Sequence, residues 1–127
     1  MKTSYHQIDA YVTKDGSLVR ELMHPGIHGT VHISLAEAII PPGSATLLHR
    51  HRKSEEIYHI TAGAGIMTLE TEQFTLAAGD TVAIAPGMPH QVRNTESIPL
   101  KILCCCSPAY AHDDTELVAE YPAMGER

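Results

Sequence analysis

Short hydrophobic segments, interrupted at close intervals by Gly, Pro, Asp and Asn, are the feature that most constrains the fold of this chain. The segments are rich in Val, Ile, Thr, Leu and Tyr, and no long stretch repeats apolar residues with the period of an amphipathic helix. This pattern is typical of a β-sandwich or β-barrel. Because 127 residues suit one domain and are too few for two, we predict a single all-β domain over residues 1–127.

About nine or ten strands are expected from the positions of these segments. Lys14-Asp15-Gly16 separates the first two and predicts a hairpin turn. Residues 109–120 are the best candidate for a short C-terminal helix, capped by Asp113 or Asp114, with an irregular tail as the alternative. The predicted strands are residues 11–13, 17–20, 28–40, 46–51, 56–61, 66–69, 74–76, 81–85, 91–94 and 100–106.

The charge balance argues against a nucleic-acid partner. The net charge is −6 with the histidines neutral, and the chain has only nine Lys and Arg, whereas tight nucleic-acid binding needs a basic face. The apolar segments are too short for a membrane span, and the first twenty residues lack the apolar core of a secretory signal. We therefore expect neither a nucleic-acid partner nor membrane insertion.

The three cysteines bear on the cellular location. Cys104, Cys105 and Cys106 are adjacent and odd in number, which fits neither a disulfide framework nor the spacing of zinc ligands. We expect free thiols buried in a strand, and a cytoplasmic protein.

His49 and His51 are the first candidates for a metal site. One residue separates them in a predicted strand, so both imidazoles point to the same face, with Cα atoms about 6.6 Å apart. The chain then turns and is expected to return as an antiparallel neighbour, on which Glu56 is the carboxylate most easily aligned beside the imidazoles. A pair of exposed strand histidines is the alternative.

His90 completes the candidate set of ligands. It follows Pro86-Gly87-Met88-Pro89, a stiff turn that would deliver its side chain at the start of a strand. A mixed nitrogen and oxygen set of His49, His51, Glu56 and His90 suits one divalent transition-metal ion (Fe, Mn, Ni, Co, Cu or Zn) better than Mg or Ca. The other histidines are interpreted as ordinary polar side chains.

These residues resemble, in type and spacing, the two motifs of the cupin superfamily. The first motif, G-x5-H-x-H-x(3,4)-E-x6-G, is matched at residues 43–63, and the second, G-x5-P-x-G-x2-H-x3-N, at residues 79–94, except that Ala85 stands where the first Pro is expected. The matching residues are Gly43, His49, His51, Glu56, Gly63, Gly79, Gly87, His90 and Asn94. The resemblance implies a double-stranded β-helix, or jelly-roll barrel, with the histidines and Glu56 as metal ligands.

The resemblance also limits the function. Four protein ligands leave coordination positions open for water, substrate or dioxygen. We expect a metal-dependent enzyme that acts on a small organic substrate in the barrel lumen, dioxygenase-like in the first instance, with decarboxylase, isomerase or lyase chemistry left open. A non-catalytic module that binds or senses a small molecule is the alternative.

Tyr58 and Arg20 are the candidates for contacts with the substrate. Tyr58 shares the strand face of Glu56 and could hydrogen-bond a bound molecule, or could simply pack in the core. Arg20 lies on an early strand and could reach an anionic substrate, or could be a solvated strand residue.

A homodimer is the expected assembly. Residues 5–13 are moderately apolar and strand-like, and they precede the barrel, so they could extend a sheet of a second copy. Similar cupins commonly pair in this way.

Overall fold

The computed structural model describes residues 1–119, and these residues fold almost entirely into strands. Within that range there are eleven strands, two 3-10 turns at Tyr5–Gln7 and His112–Asp114, and no helix long or apolar enough to cross a bilayer. The all-β prediction is confirmed. The strands are β1 (Tyr11–Val12), β2 (Leu18–Met23), β3 (Ser34–Ile40), β4 (His49–His51), β5 (Glu55–Ala62), β6 (Ala64–Leu69), β7 (Glu72–Ala77), β8 (Thr81–Ile84), β9 (His90–Arg93), β10 (Leu100–Ser107) and β11 (Thr115–Leu117).

The strands form two antiparallel sheets that enclose the core. The six-stranded sheet has the order β1-β2-β3-β10-β5-β8, and the five-stranded sheet has the order β11-β4-β9-β6-β7. Strands that are consecutive in sequence, such as β4 and β5, often lie in opposite sheets. This crossing between two antiparallel sheets is the arrangement of a jelly roll, as expected.

Strand alternation determines which side chains enter the space between the sheets. Along β5, Glu56, Tyr58 and Ile60 are buried whereas Glu55 and Ile57 are exposed, as the two-residue period of a strand requires. Burying one large aliphatic side chain contributes about 1.5–3 kcal/mol. The core consists of Val19, Ala36, Ala38, Ile40, Tyr58, Ile60, Met67, Leu76, Ile84, Val92, Leu100 and Ile102.

The predicted pairing of the two strands that carry His49, His51 and Glu56 is wrong. β4 pairs with β9 and β11, while β5 pairs with β8 and β10 in the opposite sheet. The intervening turn does not close a hairpin and is instead bound to another part of the chain. The backbone amides of Lys53 and Ser54 donate to the Asp114 carboxylate at 3.0 and 3.2 Å.

The short helix predicted over residues 109–120 is also wrong for the part that is described, residue 120 lying outside the described range. A single 3-10 turn at His112–Asp114 leads into β11, which pairs with β4 and places Thr115 opposite His51. Asp114 accepts hydrogen bonds from the distant turn at residues 53–54 instead of capping a helix.

The hairpin turn at Lys14-Asp15-Gly16 is confirmed. β1 and β2 pair antiparallel, with Tyr11 opposite Val19. Gly16 has φ +91°, a conformation that favours glycine. This turn brings Asp15 over one end of the space between the sheets, where it becomes part of the site described next.

Candidate metal centre

Three histidines converge between the sheets. His49 and His51 lie on β4, and His90 lies on β9 directly opposite His49. All three are buried, and their potential ligand nitrogens lie within 4.8 Å of one another. The structure thus brings together the three histidines that the sequence selected.

The turn before His90 fixes its position. Gly87 has φ +79°, where a residue with a side chain would be strained. Its backbone amide donates to the His51 carbonyl at 2.6 Å. This bond ties the start of β9 to the end of β4, so the two histidine-bearing strands stay in register.

Backbone carbonyls orient two of the imidazoles. His49 Nδ1 lies 2.7 Å from the Leu47 carbonyl, and His90 Nδ1 lies 2.9 Å from the Met88 carbonyl. Because a carbonyl can only accept, each Nδ1 carries a proton and donates it to the carbonyl, so that Nε2 is the ring nitrogen that faces the cluster.

A threonine orients the third imidazole. His51 Nδ1 lies 3.0 Å from Thr115 Oγ1, and that hydroxyl donates to the Ala111 carbonyl at 3.0 Å. The hydroxyl therefore accepts from His51 Nδ1, and Nε2 is again the free nitrogen. Metal-binding histidines are commonly held in this way through their second nitrogen.

Glu56 approaches the imidazoles from the opposite sheet. Its Oε1 lies 3.2 Å from His51 Nε2 and 3.4 Å from His90 Nε2. Its Oε2 accepts a hydrogen bond from the Cys106 thiol at 3.1 Å. Burial raises the pKa of Glu56, but the neighbouring imidazoles lower it by more, so the group is a carboxylate at neutral pH.

A second carboxylate lies on the other side of the cluster. Asp15 Oδ2 lies 3.3 Å from His49 Nε2. Asp15 Oδ1 accepts hydrogen bonds from Thr13 Oγ1 and from both the amide and the hydroxyl of Ser17. Burial and the neighbouring His90 lower the pKa of His49 to about 4, so at neutral pH two hydrogen-bond acceptors face each other here.

The donor set fits a divalent transition-metal ion. Glu56 Oε1 and His90 Nε2 are both buried and have no hydrogen-bond partner among the described residues. An unpartnered buried polar atom is costly. A cation shared by imidazole nitrogens and a carboxylate oxygen would satisfy both atoms, and this combination of ligands is one that transition metals prefer.

A cavity extends from these groups along the six-stranded sheet. Its volume is about 40 Å³. Tyr58 lines it and packs edge-on against His90 at 5.7 Å between ring centroids.

Arg20 does not reach this cavity. Its side chain lies on the other face of β2, where Nε donates to the Ile8 carbonyl and the guanidinium stacks 4.7 Å from the centre of the Tyr5 ring. The anion contact considered for Arg20 therefore has no support in the geometry, because Val19 and Glu21 are the β2 residues that line the lumen.

The sequence-based interpretation missed four residues of the site. Asp15 was identified only as part of a turn, Cys106 only as an inert thiol, and Thr115 as part of a helix. Glu21 could have been found from strand alternation, because it follows the apolar Val19 by two residues. The others depend on contacts between distant segments, for which no local pattern exists.

Comparisons with known proteins place the chain in a family. A family model described as the cupin domain matches residues 36–106. An uncharacterized protein from Methanocaldococcus jannaschii is 55% identical over 118 residues, which cover 93% of this chain and 94% of that protein.

Two solved structures share the fold of this chain at low sequence identity. The polyketide cyclase RemF from Streptomyces resistomycificus has a TM-score of 0.79 at 16% identity, over 95% of this chain and 87% of that one. A predicted oxalate decarboxylase from Thermotoga maritima has a TM-score of 0.74 at 24% identity, over 85% of this chain and 99% of that one. At these identities the likeness shows the fold alone.

Proposed function

Since this chain belongs to the cupin domain family, we propose that it is a metal-dependent enzyme acting on a small organic molecule in the barrel lumen. His49, His51, His90 and Glu56 would hold one divalent transition-metal ion. The observation that carries the proposal is the convergence of three Nε2 atoms whose partner Nδ1 atoms are all occupied. Such an ion, when bound, would polarise a substrate oxygen, activate water or support redox chemistry.

The chain's own residues would position the substrate and handle protons. Asp15, held by Thr13 and Ser17, could accept a proton or hydrogen bond from a group bound near His49. Tyr58 is buried and lines the cavity, and burial raises the pKa of its hydroxyl, so it would act as a neutral hydrogen-bonding group. An ordered acid-base group beside the imidazoles supports an enzyme over a passive binding module.

The reaction type stays open among dioxygenase, decarboxylase, isomerase and lyase chemistry. Similar structures bearing the names polyketide cyclase and predicted oxalate decarboxylase support action on small organic molecules.

Elemental analysis tests the metal proposal. Protein purified without added metal should contain one ion per chain. Apo protein titrated with Mn, Fe, Co, Ni, Cu or Zn should also take up one ion per chain. A triple variant in which His49, His51 and His90 become Ala should contain none. Equal metal content in the variant and the wild type would contradict the proposal.

Metabolite profiling tests the enzymatic proposal. Metal-loaded protein is incubated with a small-molecule extract, and the same extract is incubated with His90→Ala protein as the control. A compound consumed only by the wild type supports an enzyme. A compound that is retained by the wild type on filtration and released unchanged supports the binding or sensing module instead.

We also propose that the chain forms a homodimer. The N-terminal segment is partly held by its own chain, since Thr3 Oγ1 donates to the Leu22 carbonyl at 2.6 Å. β1 nevertheless forms the edge of the six-stranded sheet, with Tyr11 and Val12 exposed. Light scattering should give twice the 13.8 kDa chain mass, and a truncation starting after Lys14 should be monomeric. A monomeric full-length protein would contradict this proposal.

A cytoplasmic location is proposed on the thiols. Cys104, Cys105 and Cys106 are all free, which fits a reducing compartment. Alkylation in intact cells should label Cys105, whose strand position faces outward. Recovery of this thiol in an oxidised form would contradict the proposal.

A further inference from the structure

Glu21 lies in the cavity and is not needed by the candidate metal centre. It is on β2, two residues after Val19, and it lines the cavity with Ala36 and Ala38 of the neighbouring strand β3. Only 7% of the residue is exposed. A carboxylate is thus placed among small apolar side chains, in the part of the lumen where a substrate would lie.

One oxygen of this carboxylate has no partner. Oε1 accepts a hydrogen bond from the Tyr11 hydroxyl at 2.9 Å. Oε2 is buried and has no hydrogen-bond partner among residues 1–119. A buried carboxylate oxygen without a donor is costly. A donor on a molecule in the cavity would remove that cost.

The charge of the cavity restricts what kind of molecule can supply the donor. Among the described residues that line it, three are carboxylates (Asp15, Glu21 and Glu56) and none is Lys or Arg. The summed negative charge of the three carboxylates is at least as large as the positive charge of one divalent ion, even if one carboxylate is protonated. A small dianion would therefore meet like charge at short range, which is unfavourable in a partly buried site.

We propose that Glu21 is a specificity-determining residue, which accepts a hydrogen bond from a hydroxyl group of an uncharged, hydroxylated organic substrate. The same lumen disfavours small dicarboxylates. The inference rests on the proposed function, since it assigns a substrate class to the same cavity. Glu21 acts by binding and orienting the molecule, and the geometry assigns it no ligand role.

Calorimetric titration of Zn²⁺-loaded protein tests this proposal, because Zn²⁺ is redox-inactive and does not oxidise the probes. The probes are the 1,2-, 1,3- and 1,4-dihydroxybenzenes, which are uncharged at pH 7 and differ in hydroxyl spacing, and oxalate, which is a dianion. At least one diol should bind more tightly than oxalate. Tighter binding of oxalate than of all three diols, or no measurable binding of any diol, would overturn the proposal.

Two variants isolate the contribution of Glu21. Glu21→Gln keeps the shape and an acceptor for Tyr11 but removes the charge, so it should weaken binding of that diol by about ten- to a hundred-fold, as expected for loss of a hydrogen bond to a charged group, and should narrow the preference over oxalate. Glu37→Gln is the matched control, because Glu37 lies across from Arg20 on the outer face. A Glu21→Gln protein that melts as the wild type does and binds the diol within twofold of it would contradict the proposal.

The metal content of each sample is measured first, which separates the two hypotheses. Protein that takes up no Zn²⁺ contradicts the metal proposal. The same titration on the apo protein then still measures the preference set by Glu21.

Discussion

The two sheets contribute different groups to the cavity. The five-stranded sheet supplies the three imidazoles, each fixed through Nδ1 by a carbonyl or a hydroxyl. The six-stranded sheet and its first hairpin supply the three carboxylates, Tyr58 and the thiols of Cys104 and Cys106. On this division, we propose that the register of β4 and β9 creates the metal centre, and that the opposite sheet adds one ligand and selects the molecule that binds.

Loss of one imidazole is the largest expected effect. His90→Ala should reduce metal affinity by more than about a hundred-fold, because loss of outer partners alone commonly costs 10–100-fold. His59→Ala is the control, since His59 points away from the cavity and contacts Thr81. Metal titration by calorimetry measures both. If the metal affinity of His90→Ala were within threefold of the wild-type value, the proposal that the five-stranded sheet supplies the metal ligands would be contradicted.

Metal addition should stabilise a fold that already exists without it. At a free metal concentration of about 100 times the Kd, binding adds about 2.7 kcal/mol, which corresponds to about 10 °C in Tm for a domain of this size. The shift should disappear below about pH 6, where protons compete for the imidazoles. Circular dichroism of the apo protein and melting curves with and without metal test both parts. An unfolded apo protein, or an unchanged Tm, would contradict this prediction.

The pH dependence of the apo protein should reveal the neutral His49. Its pKa is lowered from an ordinary 6.5 to about 4, so the unfolded chain takes up a proton first as the pH falls below 6.5 and stability decreases. Between pH 7 and 5 this amounts to about 2 kcal/mol. Urea unfolding should show that His49→Gln lacks this component.

The wild type and His49→Gln must be compared as a pair. Burial lowers the pKa of His51, but the contact with Glu56 more than offsets this effect, so the pKa of His51 is raised. His51 therefore contributes stability at low pH, and this contribution is lost as the pH rises. Both proteins keep His51, and its contribution cancels in the difference. Parallel pH profiles would show that His49 is not held neutral.

The smallest effects are expected for the residues that hold His51 and Glu56 in place, one from each sheet. Thr115→Val removes the acceptor for His51 Nδ1 and should lower metal affinity about tenfold, whereas Thr115→Ser should retain it. Cys106→Ala removes the thiol donor to Glu56 and should cost less, because a thiol is a weak donor. If Cys106→Ala lost more metal affinity than Thr115→Val, the proposed order of these two contributions would be contradicted.

Local patterns were sufficient to predict the strand content and the facing of side chains within a strand. Period-two alternation places Glu56 and Tyr58 inward whichever strand lies beside β5. The phase of β2 was open to the same argument, yet Arg20 was chosen although Glu21 shares the face of Val19. Alternation predicts which residues share a face, but an apolar residue of the same strand, here Val19, is needed to tell which face is buried.

Strand partnership could not be predicted in the same way. β4 and β5 lie in opposite sheets, and the turn between them is bound by Asp114, about sixty residues away. Asp15 enters the site because the first hairpin lies over the lumen. Both features arise from packing between segments that are distant in sequence, which short-range propensities do not encode.

A structure of the Zn²⁺- or Mn²⁺-loaded protein, with the ion located by anomalous scattering, tests the central claim most directly. We predict one ion with His49, His51 and His90 nitrogens and a Glu56 oxygen all about 2.0–2.3 Å away. A structure in which Glu56 faces solvent, or in which Glu55 provides the carboxylate, would contradict the assignment of one ligand to the six-stranded sheet.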